Sequence, residues 1–107
     1  MQEVLHIASL PASALDAAAE FYSLHMPRAR ALLEGAVNSL VIVLPPAPRD
    51  HADWRRAAAR GLARDAAPKR VNIVGGGDES AIAATVAYLG GAPGVTGQYL
   101  PAHEQGS

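Results

Sequence analysis

The sequence predicts an α/β fold built on a mostly parallel, four-stranded sheet whose strand order follows the sequence, with elements in the order β-α-β-α-β-α-β. Three observations carry this. Short apolar runs alternate with helical segments, which implies parallel strands joined by crossover helices. The run SLVIVL (39–44) is continuously apolar and β-branched, as a strand buried on both faces reads. And 107 residues suit one small domain, not two.

The elements follow in order. EVLHIA (3–8) reads as a strand, and Pro11 cannot continue its ladder. Ser13, three residues before Asp16, is a helix start signal. Leu15, Ala18, Ala19, Tyr22 and Met26 then repeat at helical spacing. Pro27 should kink or split that helix, and Gly35 should stop it. After SLVIVL, PPAPRD is a rigid extended loop. Asp50 or Asp53 is expected to cap the next helix, which Pro68 ends. RVNIV (70–74) is the third strand. Three glycines follow, then a helix with Ile82, Val86 and Leu89 on one face, stopped by Gly90 and Gly91. GQYLP (97–101) is a short last strand, and residues 102–107 are expected to form a disordered tail of the single domain 1–107.

Bulk properties exclude several function classes. Half the residues are hydrophobic but only 5% are aromatic, so the core must be Ala, Leu and Val in closely packed elements. A net charge of −1 excludes an electrostatic nucleic-acid binder. With no cysteine there is neither a disulfide frame nor a thiolate metal site. No apolar run approaches the ~20 residues of a membrane span, and the opening MQEVLHIASL is not a signal peptide. A soluble, cytoplasmic protein with no membrane or nucleic-acid partner is expected.

The candidate chemistry is sparse. VNIVGGGDES (71–80) places glycines between a strand and a helix N-terminus, the physical setting of an anion site. It matches neither G-x-G-x-x-G nor a P-loop, and Asp78 and Glu79 put carboxylates where a phosphate would sit. Gly75, Gly76 and Gly77 are therefore weak cofactor-binding candidates, and a turn with Asp78 or Ser80 as helix cap is the plainer reading. His6, His25, His51 and His103 form no i, i+4 pair and fit no compact zinc pattern. No G-x-S-x-G elbow exists for a serine nucleophile. In RDHADWRRAAAR, Arg55, Arg56 and Arg60 are read as a solvated face, with Trp54 capping the core or a subunit contact.

From residue 56 onward the text resembles the C-terminal half of the short-chain dehydrogenase/reductase (SDR) family. LARDAAP, RVN, GGG, AIAATVAYLGG and VTGQ match that family's successive short motifs in order. Upstream, VLHIA is similar to its fourth strand, FYSLHMPRARALL to the long helix after it, and SLVIVLP to its fifth strand. The resemblance implies a Rossmann-like half-fold without the half that carries the dinucleotide loop. It also implies where catalytic residues should stand. The family's Tyr and Lys fall on Ala52 and Arg56, or in a shifted alignment on Pro48 and Ala52. Its Ser falls near Pro45 or Pro46, its helix Asn near Ser23, and its Pro-Gly loop on Gly76 and Gly77. A ketone reductase needs a phenol as general acid with an ammonium beside it; alanine and arginine supply neither.

The expectation is a pseudoenzyme without a cofactor: a non-catalytic SDR-like protein that acts through association. It would form a homodimer or serve as accessory subunit of a dehydrogenase-like partner. Tyr22, Met26, Trp54, Tyr88 and Tyr99 are the interface candidates. The alternative is a small ligand-binding module or enzyme with a new site at the carboxyl ends of the strands, with His6 or His51 as acid or base.

Overall fold

The computed structural model describes residues 1–102; of the predicted tail 102–107, Ala102 is buried and donates to the Gly75 carbonyl at 2.8 Å, and 103–107, with His103, lie outside the described residues. Four strands form one sheet in the order β1-β2-β3-β4, all parallel: β1 Gln2–His6, β2 Ser39–Leu44, β3 Arg70–Gly75 and β4 Tyr99–Pro101. The predicted α/β half-fold with sequential strand order is what forms. β1 ends sooner than the apolar run 3–8, because the chain leaves the ladder after Ile7 donates to the Val43 carbonyl at 2.9 Å. β4 starts later than residue 97, because Gly97 takes a positive φ of 73° that no strand residue adopts.

The helices are α1 Ala14–Glu20, α2 Met26–Leu33, α3 Ala52–Ala66 and α4 Glu79–Gly90. Ser13 caps α1 by accepting from the Asp16 N–H at 3.1 Å. Pro27 does not leave a gap. A π-helical turn, Phe21–His25, joins α1 to α2, and Pro27 sits in the first turn of α2, where a missing N–H costs least. This turn also decides which face is buried. Ala17, Phe21, His25, Ala29 and Leu33 point inward, a strict step of four. An α-helix overshoots about 40° on each such step; the wider π-turn takes part of that back. The stripe read from the sequence is displaced in consequence: Leu15, Ala19 and Tyr22 face solvent.

Asp50 and Asp53 do not cap α3. A 3₁₀ turn, Arg49–His51, runs straight into the helix, and the residue before it, His51, makes no side-chain cap bond. Asp53 is exposed beside Arg56, 3.6 Å away. At α4 the open choice resolves to Asp78, whose carboxylate accepts from the Ala81 N–H at 2.7 Å and from the Ser80 hydroxyl at 2.9 Å.

The core lies on both faces of the sheet. α1, α2 and α3 cover one, over Leu5, Ile7, Leu40, Ile42, Leu44, Val71 and Ile73. α4 covers the other, over Val41, Val43 and Val74. The alternation along SLVIVL is thus Leu/Ile to one side and Val to the other, with all six residues buried.

Candidate functional site

The carboxyl ends of β2, β3 and β4 converge on Arg55. The sequence reading gave it to solvent with Arg56 and Arg60, and the structure overturns that: Arg55 is 1% exposed. The signal was present in the spacing. Residues 55, 58, 59 and 62 form the buried face of α3, the i, i+3, i+4, i+7 pattern of an inward stripe. Charge had outweighed position.

Arg55 Nη2 donates to the Pro45 carbonyl at 2.9 Å, and Nη1 to the Tyr99 hydroxyl at 3.3 Å. Its Cζ lies 5.5 Å from the Trp54 ring centroid and 5.7 Å from that of Tyr99. Two aromatic rings and two oxygen dipoles stabilise the charge. Its Nε is buried with no hydrogen-bond partner, and no carboxylate pairs with it among the described residues.

The glycine loop packs against this group. A Cβ at Gly75 would stand 2.3 Å from the Tyr99 hydroxyl, and one at Gly76 would stand 2.3 Å from the Pro46 nitrogen. Gly77 has φ 135°, a value that excludes other residues sterically. The residue type at all three positions therefore follows from close approach and backbone, without a phosphate. Asp78 occupies the N-terminus of α4. Its carboxyl is held below the usual range, first by the Ala81 backbone N–H and then by the Ser80 hydroxyl. Between loop, β4 and Arg55 lies an open cleft of about 300 Å³, walled by Pro46, Ala47 and Pro101 as well.

The other predicted residues scatter. His51 is buried with both ring nitrogens engaged, one on the Ala12 carbonyl at 3.0 Å and one on the Trp54 indole N–H at 3.2 Å. The indole can only donate, so the hydrogen-bond network assigns an Nε2–H tautomer that bonds Ala12. His6 is exposed on β1. Trp54 is half-buried, its ring 5.4 Å from that of Phe21; Met26 packs partly on the same core. Tyr99 faces Arg55. Of the five interface candidates, Tyr22 and Tyr88 keep substantial exposure, 43% and 58%. The structure thus brings Tyr99 and Trp54 together around Arg55 and leaves the other three apart. Ala52 and Arg56 stand in the first turns of α3, and Pro45 and Pro46 follow β2. Ser23 sits on the π-turn with its hydroxyl on the Glu20 carbonyl.

Sequence reasoning also passed over Asn72, buried on β3. It donates to the Val95 carbonyl and accepts from the Gln98 N–H, both at 3.0 Å, tying the loop after α4 to the sheet. Among the described residues no group of three or more His, Cys, Asp or Glu could hold a metal ion, and no helix is long and apolar enough to cross a membrane.

No curated protein and no solved structure matches the chain. Residues 5–102 match the model of one family, described as SDR-like, short chain dehydrogenase-like protein. That match runs from the end of β1 through β4 and joins the motif order of RVN, GGG and VTGQ to the parallel sheet that carries them, and so the chain belongs to the SDR-like family.

Proposed function

We propose that this protein is a non-catalytic member of its family that works by association, as a homodimer or as accessory subunit of a dehydrogenase-like partner. The observation that carries the reading is the edge of β1. Among the described residues its one neighbour is β2. Ile7 bonds inward to β2, so the period of two turns the N–H and C=O of Gln2, Val4 and His6 away from the sheet. An exposed row of this kind is a template for another strand. A second copy added antiparallel about a twofold at Val4 sets Gln2 opposite His6 and pairs all three residues. Tyr22 on the π-turn and Leu15 on α1 are exposed and offer apolar surface to a partner.

Chemistry at the family's catalytic positions supports the non-enzymatic half of the reading. Ala52 carries no proton, and the guanidinium of Arg56 does not release one near neutrality. The absence of cysteine agrees with the cytoplasmic location that completes the proposal.

Val4→Pro tests the association directly. Val4 donates nothing to β2, so proline there removes an outward donor while the inward ladder stays. The wild type is expected to scatter light as a dimer at micromolar concentration, and Val4→Pro as a single 11.1 kDa chain with an unchanged circular dichroism spectrum. A wild-type monomer that does not shift on concentrating, and that captures no partner in native mass spectrometry from its own lysate, rejects the proposal. Nicotinamide-dependent turnover of simple ketones by the pure protein rejects its non-catalytic half.

A further inference from the structure

Arg55 is a buried cation whose only described polar partners are neutral. Removing a guanidinium from water is costly unless an anion or a full set of acceptors replaces the hydration. Here one carbonyl and one phenol oxygen accept from it, and its Nε–H finds no acceptor among the described residues. Tyr99 compounds the imbalance. Its oxygen accepts from Arg55, and its own hydroxyl hydrogen is donated in none of the described hydrogen bonds. The Arg55 Nε–H and the Tyr99 hydroxyl hydrogen thus both lack an acceptor among the described residues, both side chains line the cleft beside β4, and no carboxylate side chain among the described residues lines it.

The rest of the cleft narrows the ligand class. Its volume, about 300 Å³, falls at the small end of ligand sites. Pro46, Ala47 and Pro101 give it an apolar wall, which favours a carbon body over a bare inorganic anion. The N-terminus of α4, where a phosphate would settle, is taken by the Asp78 carboxylate, and that charge repels a dianion more than a monoanion. A planar guanidinium fork suits a carboxylate.

We infer that the cleft between the Gly75–Gly77 loop, Tyr99 and Arg55 binds a small organic acid, its carboxylate held by Arg55 and the Tyr99 hydroxyl and its apolar body against Pro46, Ala47 and Pro101. The site needs no reaction and is independent of the β1 edge, so it stands or falls apart from the association reading. Gly75 is part of it: only a residue without Cβ lets the Tyr99 hydroxyl approach this closely.

Nuclear magnetic resonance on the ¹⁵N-labelled wild type tests this, with sodium acetate, butyrate and hexanoate as probes against sodium phosphate and chloride at equal ionic strength. Saturable shifts are expected at the Arg55 Nε–H and the Gly75–Gly77 amides. Affinity should rise from acetate to butyrate, with phosphate weaker than butyrate. Arg55→Met should weaken butyrate about ten- to a hundredfold, the worth of a charge-assisted hydrogen bond, and Tyr99→Phe by less. Arg64→Gln, exposed near the far end of α3, should leave it unchanged. If Arg55→Met does not fold, Tyr99→Phe and the wild-type titration still decide. Absence of saturable shifts at Arg55 and the glycines overturns the inference, as does equal response to chloride and butyrate, or phosphate binding more tightly than every carboxylate.

Discussion

The two faces of the sheet are built differently. Under α1, α2 and α3 the strands present Leu40, Ile42, Leu44 and Ile73, met by Phe21, Leu33 and Leu62. Under α4 they present Val41, Val43 and Val74, met chiefly by Leu89. The first face is held by large apolar side chains. The second, with one helix to cover it, adds polar ties: Arg70 reaches the Leu89 and Ala92 carbonyls at the end of α4, and Asn72 holds the loop that follows. A face covered by one helix leaves backbone groups of the neighbouring loop close to the sheet, and side chains from β3 supply their partners. The larger apolar side chains thus lie on one side, and on the other the hydrogen bonds of Arg70 and Asn72 reinforce a smaller apolar cluster.

Substitutions can break this contrast. Phe21→Ala should have the largest effect, about 3–5 kcal/mol in denaturant unfolding, because the ring is fully buried at the π-turn. Against a total of about 5–15 kcal/mol for a domain, that leaves little fold. Val43→Ala on the opposite face should cost only about 1.5 kcal/mol, two methylene equivalents. Equal losses at the two sites would erase the distinction.

Asn72→Leu probes the polar side, and about 2–4 kcal/mol should be lost, since the Val95 carbonyl and the Gln98 N–H are left without their partner. The sharper readout is local. Hydrogen exchange should accelerate in residues 92–98 before it does in β2. Uniform acceleration would mean that the loop is held by packing.

Asp78→Ala should have the smallest effect, and its signature is pH. The folded-state pKa of Asp78 is lowered, so its stabilisation is complete above the unfolded value of about 3.9 and fades as pH falls through the folded value. Thermal melts of wild type and variant should differ at pH 7 and converge toward pH 3. A difference that persists in acid would show that the carboxylate charge is not what caps α4.

The amino-acid sequence alone determined the class of fold and the order of its strands, because continuous β-branched runs and helical periods are local properties. SLVIVL was legible as a central strand, Ser13 as a cap and RVN as the strand before the glycine loop. The missing phenol at the head of α3 was legible too, since it depends only on which residues stand there. What tertiary structure decided was burial of the unexpected. A π-turn of five residues rotated the stripe at Leu15 and Tyr22 outward and Phe21 inward, and no propensity of FYSLH announces that turn. Asn72 looked like any polar residue of a strand until the loop after α4 folded back on it. Arg55 stood on an inward stripe all along, yet its charge argued for solvent. Only the convergence of the Pro45 carbonyl, Tyr99 and Trp54, drawn from separate elements, makes a buried guanidinium tolerable, and that convergence is a property of three dimensions.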